Sequence, residues 1–276
     1  MNPRTLMAVF AHPDDEAFGT GGTLARYAAE GNNVYLVTAT RGEAGEIAEP
    51  DLATAANPPY VREQELSCAC QIYGINPPIF LDYVDGQLPI VRQGQAVGKL
   101  VRIIRELRPE VVITFGLDGI YGHYDHIAIH RWTTIAVDLA AAPDCFPDHL
   151  TDVCHPHKVS KVYFRALSEE QVAAMSEEDG PAAVMMDGVP FYFAPRRADE
   201  ITTIIDVSDY AEAKLQGIRC HATQVGRESP FDETPEEVKQ QPWFQSEHFV
   251  LAHSTVGWPE GRETDLLARL GLSGEE

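Results

Sequence analysis

Four short, almost uninterrupted apolar runs recur through the first half of the chain, each followed by a helix-forming stretch. Leu6–Ala11, Asn33–Ala39, Ile79–Tyr83 and Val111–Phe115 read as strands buried on both faces. Between them lie Gly22–Glu30, ending before Gly31, and Val61–Tyr73, stopped at Gly74. Gln95–Leu107 sets Val97, Leu100, Val101, Ile104 and Leu107 on one side and ends before Pro109. Asp125–Ala142 is the helix after the fourth strand. This alternation predicts an α/β fold, a mostly parallel sheet with helices on both faces.

The second half predicts an irregular α+β part. A connection rich in Pro, Asp and His over 140–158 leads to a strand at Lys161–Leu167. Ser168-Glu-Glu-Gln171 has the form of a capping box opening a short helix. Val184–Phe191 reads as a hairpin turning at Asp187-Gly188. Ser208 caps a helix through Ile218, and Glu263–Leu270 reads as a terminal helix. No repeat and no clean linker interrupts the 276 residues, so one domain over 1–276 is expected. Residues 1–140 form its catalytic half, and 141–276 contribute a substrate pocket or lid.

Charge narrows the partners. With 42 acidic and 21 basic residues the net charge is −21, which disfavours nucleic acid and anionic membrane surfaces. A small molecule, neutral or cationic, is the easier partner. Acidic patches at Ser168–Asp179 and Glu228–Glu237 read as solvated faces and loops. No apolar stretch approaches the ~18 residues of a membrane span. The start, MNPRTLMAVFAHPDD, lacks a signal-peptide layout, so a cytoplasmic location is expected. Five cysteines (68, 70, 145, 154 and 220) in that setting imply free thiols. A structural zinc site from Cys145, Cys154, His155 and His157 is a weaker alternative, because the usual CxxC spacing is missing.

Directly after the first strand comes His12-Pro13-Asp14-Asp15-Glu16. Open α/β sheets place their sites at such strand ends. His12 and Asp15, three residues apart, can aim an N and an O donor at one point, a pairing that suits Zn²⁺. Pro13 stiffens the chain between them. Asp14 is left beside the metal without being a ligand, where a hydrolase needs a base. The alternative is that Asp14 or Asp15 merely caps the following helix.

A matching cluster, Tyr121-Gly122-His123-Tyr124-Asp125-His126, follows the fourth strand. Loops leaving one parallel sheet open at the same edge and can meet. His126 completes a His/Asp/His set with His12 and Asp15, leaving the fourth zinc position to water. His123, as an imidazolium, is placed to stabilise an oxyanion. Asp125 is placed to hold an imidazole in one tautomer, or to cap the helix. His130, four residues after His126, is a rival ligand; His149, His248 and His253 are isolated. Gly19-Thr-Gly21-Gly22 is vaguely like a dinucleotide loop, but Leu24 stands where the third Gly belongs and three carboxylates precede it. Binding without catalysis, of nucleotide or metal, is therefore a minor reading.

HPDDE after one strand and HYDH after a later one closely resemble the LmbE-like, PIG-L-type N-acetylglucosaminyl deacetylases. Thr40–Gly45, Val61–Leu66, Asp82–Gly86 and His221-Ala-Thr-Gln224 resemble further family segments, the likeness covering 5–140 well and the rest thinly. The resemblance implies a Rossmann-like fold, zinc or another divalent metal, and hydrolysis of the acetamide of an N-acetylglucosamine-type sugar. It implies His12, Asp15 and His126 as metal ligands and Asp14 as general base and then acid. It also implies His123 with Tyr121 as oxyanion stabilisers, and Arg62 and Asp85 as sugar-binding residues. An amidase for larger thiol-sugar conjugates would share this site. Relatives often assemble, which leaves a homo-oligomer open. The role of His221–Gln224 is not assigned.

Overall fold

A computed structural model describes residues 2–49, 51–52, 58–176, 180–186, 188–226 and 235–271. Its centre is a seven-stranded sheet in the order β3-β2-β1-β4-β5-β9-β8. The first five members are β1 (Thr5–Phe10), β2 (Asn33–Thr38), β3 (Ile79–Phe80), β4 (Val111–Phe115) and β5 (Lys161–Ala166). They run parallel. β9 (Ser246–Ser254) lies antiparallel to β5, and β8 (Thr203–Asp206) antiparallel to β9. β1 and β4 are buried along almost their whole length, as strands with helices on both sides must be. Chain order reverses between β1 and β4, so a crevice opens beyond their carboxyl ends.

The helices up to residue 225 are α1 (Asp15–Ala29), α2 (Pro58–Tyr73), α3 (Gln93–Leu107), α4 (Gly119–Gly122), α5 (Tyr124–Ala140), α6 (Glu169–Met175), α7 (Ala211–Cys220) and α8 (Ala222–Val225), and two short ones follow at Pro235–Lys239 and Pro242–Gln245. α3 buries Val97, Leu100, Val101 and Ile104, the expected stripe. α6 carries the expected capping box between Ser168 and Gln171. α1 starts seven residues before the expected Gly22, because its glycines serve packing. A Cβ on Gly19 would fall 1.7 Å from Arg165 Nε, and one on Gly22 2.6 Å from Val207 Cβ. These buried glycines form no phosphate cradle, so the dinucleotide-loop reading fails.

Other differences have local causes. β3 stops at Phe80 rather than Tyr83, since Asp82 takes a left-handed φ of 59°. The hairpin of β6 (Ala183–Met186) and β7 (Val189–Tyr192) forms, with Gly188 at φ 76°; Asp187 lies outside the described residues. So do parts of both acidic patches. Ser208 opens a single 3₁₀ turn ahead of α7 rather than capping it. No helix forms over 263–270. Instead Glu263 bridges to Thr203, and its carboxylate accepts from Lys161 Nζ at 2.7 Å and the Tyr163 hydroxyl at 2.7 Å.

The expectation of five free thiols is also corrected. Cys68 on α2 and Cys220 at the end of α7 form a disulfide, with Cα atoms 5.8 Å apart and 152 residues between them. Cys70, Cys145 and Cys154 are free. Among the described residues no metal-holding group arises from Cys145, Cys154, His155 and His157. No helix among them is long and apolar enough to cross a membrane.

Candidate active site

The loops after β1 and β4 meet in the crevice. Asp15 Oδ2 accepts from the backbone N–H groups of Ala11 (3.1 Å) and His12 (2.8 Å), folding the end of β1 back on itself. Asp14 stands at the N-cap position of α1, yet its carboxylate caps nothing. The capping alternative therefore fails for both aspartates. Asp14 has φ 114°, a conformation that costs a non-glycine residue about 1–3 kcal/mol unless its surroundings enforce it. Across the crevice the α4 turn is strained in the same way, with Ile120 at φ 72°.

His12, Asp15 and His126 converge. His12 Nδ1 lies 3.3 Å from His126 Nε2, and Asp15 Oδ1 lies 3.2 Å from that same nitrogen. Asp15 Oδ2 is 3.5 Å from His12 Nδ1. The far nitrogens settle the tautomers. His126 Nδ1 faces the Gly119 carbonyl at 3.1 Å and must donate to it, so Nε2 presents a lone pair. His12 Nε2 donates to Asp85 Oδ1 (2.9 Å) and Asp125 Oδ2 (3.2 Å), so neutral His12 presents Nδ1 in turn. Two lone pairs and a carboxylate then face one another with no donor between them. Such a set repels itself unless it shares a cation or a proton. The two imidazole nitrogens keep the ~3.3 Å that tetrahedral ligands at about 2.0–2.1 Å from a metal keep, and Asp15 meets each of them with a different oxygen, while His123 joins His12 and His126 in a group of donors close enough to share one ion. The donor set therefore fits a divalent metal such as zinc. Burial disfavours a charged His12, but the carboxylates of Asp125, Asp15 and Asp85 outweigh it and raise the His12 pKa well above the ordinary imidazole value.

Asp125 is fully buried and does not cap α5; the His123 side chain does, its Nδ1 accepting from the Asp125 N–H at 3.1 Å. The Asp125 carboxylate accepts instead from Gly86 N (2.8 Å) and Leu88 N (3.1 Å) while it holds His12. His123, with Nδ1 accepting, carries its proton on Nε2. Burial and the neighbouring His126 and His12 push its pKa down to about 4. That direction favours a neutral ring, with one N–H to offer, over the expected imidazolium. Tyr121 packs edge-on against His123 (5.9 Å) and His126 (5.3 Å), backed by Phe193 of the segment after β7. His130 turns elsewhere, its Nδ1 3.0 Å from the Phe115 carbonyl and its ring against Phe164, and so leaves the ligand set.

Arg62 and Asp85, expected on sugar hydroxyls, have inward partners. Buried Arg62 donates to the Gly42 carbonyl (2.8 Å) and Asp14 Oδ2 (3.0 Å). Asp85 accepts from His12 and from Ala44 N at 3.1 Å. Against the upward push of burial, His12 holds the Asp85 carboxyl down to about 2. Asp14 goes the other way: burial outweighs Arg62 and raises it to about 6.

Three participants escaped the sequence reading. Glu16 and His221 are buried against each other, and Arg165 at the carboxyl end of β5 reaches the Asp15 carbonyl at 3.4 Å. Glu16 is the last letter of the HPDDE motif, His221 opens His221–Gln224, and Arg165 sits at a strand end. Each carried a signal without a partner to interpret it.

The family model described as GlcNAc-PI de-N-acetylase (PIG-L) matches residues 7–137. A 1D-myo-inositol 2-acetamido-2-deoxy-alpha-D-glucopyranoside deacetylase of Streptomyces griseus is 39% identical, over 97% of this chain and 89% of its own. The protein of the same description from Streptomyces avermitilis is 38% identical over 95% and 96%. Among solved structures, N,N'-diacetylchitobiose deacetylase from Pyrococcus horikoshii superposes with TM-score 0.67 at 18% identity, over 91% of this chain and 84% of that one. GalB, the 4-carboxy-2-hydroxymuconate hydratase of Pseudomonas putida, reaches TM-score 0.64 at 20% identity, over 93% and 99%. A deacetylase and a hydratase on one architecture mean that the fold alone does not choose the reaction.

Proposed function

The chain belongs to the GlcNAc-PI de-N-acetylase (PIG-L, LmbE-like) family, and on that premise we propose that it is a metal-dependent deacetylase of an N-acetylglucosaminyl-inositol glycoside. One observation carries the reaction class: His12 and His126 turn nitrogens toward each other 3.3 Å apart with Asp15 against both, beside an Asp14 whose pKa is raised to about 6. Full-length similarity to inositol glycoside deacetylases carries the substrate. Residues 1–140 supply the chemistry, and 141–276 build the surroundings of the sugar.

His12, Asp15 and His126 would hold the metal, zinc being the ion that this donor set suits best. When bound, it would polarise the acetyl carbonyl and lower the pKa of water toward ~7. Asp14, with its pKa of about 6, is ionised at neutral pH and takes a proton as water attacks the carbonyl carbon. His123 donates its Nε2–H to the oxygen that gains charge, and Tyr121 lines the same side. As the C–N bond breaks, Asp14 returns the proton to the leaving amine and acetate departs. Asp125 keeps the His12 proton on Nε2, away from Asp15 and His126. Arg62 holds the Asp14 carboxylate in place.

The test is acetate release from N-acetylglucosaminyl-inositol, N-acetylglucosamine and bulkier thiol-sugar amides by zinc-loaded protein. Release from the inositol glycoside is expected to dominate. Asp14→Ala is expected to keep one metal per chain and lose nearly all turnover. An Asp14→Ala variant that turns over like wild type would refute the base assignment, and equal rates across the panel would refute the substrate.

A further inference from the structure

Asp14 does useful chemistry only from a backbone conformation that aspartate resists, so something must hold it there. Its carbonyl accepts from Ala17 N at 2.8 Å, which starts α1. Its carboxylate is fixed by Arg62. Its N–H, turned inward by φ 114°, donates to Glu16 Oε2 at 3.0 Å. The other oxygen of that carboxylate, Oε1, lies 2.7 Å from His221 Nε2. Both side chains are shut off from water, with exposures of 0% for His221 and 1% for Glu16. A buried carboxylate without a partner would swing toward solvent, which withdraws the acceptor from Asp14.

The station of His221 is itself built. It terminates α7 directly after Cys220, which is bonded to Cys68 of α2. Two residues on, Thr223 gives its N–H (2.7 Å) and hydroxyl (2.6 Å) to Glu65, also on α2. One helix, α2, therefore presents Arg62 to the side chain of Asp14 and also anchors the turn whose His221 reaches Asp14 through Glu16. His221–Gln224 gains a physical meaning as the end piece of this relay.

We propose that His221 and Glu16 are positioning residues that hold Asp14 in its left-handed conformation and so aim its carboxylate at the reacting water. The inference rests on Asp14 being the general base of the proposed deacetylase. His221 does not touch substrate; it acts through Glu16.

His221→Ala, His221→Gln and Glu16→Ala test this beside wild type. Each is assayed for kcat and KM with N-acetylglucosaminyl-inositol, for zinc per chain, and for hydrogen exchange at the Asp14 amide. His221→Ala is expected to lose about 10²-fold in kcat, the cost of misplacing a catalytic group by ~1 Å, with KM changed less than about threefold. Zinc is expected to stay at one per chain. Exchange at the Asp14 amide is expected to accelerate at least about tenfold, as for one lost hydrogen bond. Gln in place of His221 can still donate to Glu16 and is expected to restore most of kcat. Glu16→Ala removes the acceptor of the Asp14 N–H outright and is expected to lose kcat and speed exchange at that amide whether or not His221→Ala folds. Unchanged exchange at Asp14 in folded His221→Ala or Glu16→Ala, or wild-type kcat in Glu16→Ala, overturns the inference. If wild type itself releases no acetate, the deacetylase reading falls, while the exchange measurement still decides whether the clamp exists.

Discussion

Replacing Arg62 with methionine removes a guanidinium 3.0 Å from Asp14 Oδ2 without changing the length of the side chain much. Arg62 is the main influence pulling the Asp14 pKa down, against burial, which pushes it up. A paired opposite charge lowers a carboxyl pKa by about 1–3 units. Without it, Asp14 is expected to rise from about 6 to ~7–9. Because the base works only when ionised, the acid limb of kcat/KM must move upward by the same ~1–3 units. At pH 7 the ionised fraction would drop from roughly nine-tenths to between about one-half and one-hundredth. Raising the pH should restore the lost rate. The assay is a pH profile of acetate release by zinc-loaded wild type and Arg62→Met. If Arg62 instead serves by gripping the sugar, KM rises and the acid limb stays where it was. An unshifted limb would therefore refute the assignment of Arg62 to Asp14. The variant also strips the Gly42 carbonyl of its donor, so a lower melting temperature is expected alongside.

Two further outcomes follow from the same geometry. In metal-free protein, the folded pKa of Asp14 (about 6) exceeds an unfolded value near 3.9, so its ionisation opposes folding progressively as pH rises from ~4 to ~6 and fully above that. Asp14→Asn is expected to raise the melting temperature by a few degrees at pH 7.5, with the gain shrinking at pH 5; calorimetry showing no pH-dependent gain would contradict the raised pKa. Metal binding is expected to weaken about 10–100-fold in Asp125→Asn, to vanish in His126→Ala, and to persist at one ion per chain in His130→Ala, all read by titration calorimetry. Loss of the metal in His130→Ala would instead restore that residue as a ligand.

How much of this was legible beforehand depends on the range of the interaction involved. β1 and β4 declared themselves because strands buried on both faces must be apolar throughout. β9 did not: it carries buried Glu247 and His248, whose burial makes sense only beside partners such as Lys214, 2.8 Å from Glu247. The terminal segment looked helical from its own residues, but Lys161 and Tyr163 claim Glu263 from across the sheet. Cys68 and Cys220 gave no spacing cue, being 152 residues apart.

The amino-acid order by itself determined the parallel α/β frame and the placing of His12, Asp15 and His126 at adjoining strand ends, since apolar period and strand-end position are local properties of a chain. Tertiary structure alone decided the protonation and posture of those groups. Which imidazole nitrogen carries a proton, whether Asp14 sits near 4 or near 6, and whether Arg62 faces a sugar or a carboxylate all depend on groups tens to hundreds of residues away. Burial and distance set those electrostatic energies, and neither exists until the chain has folded.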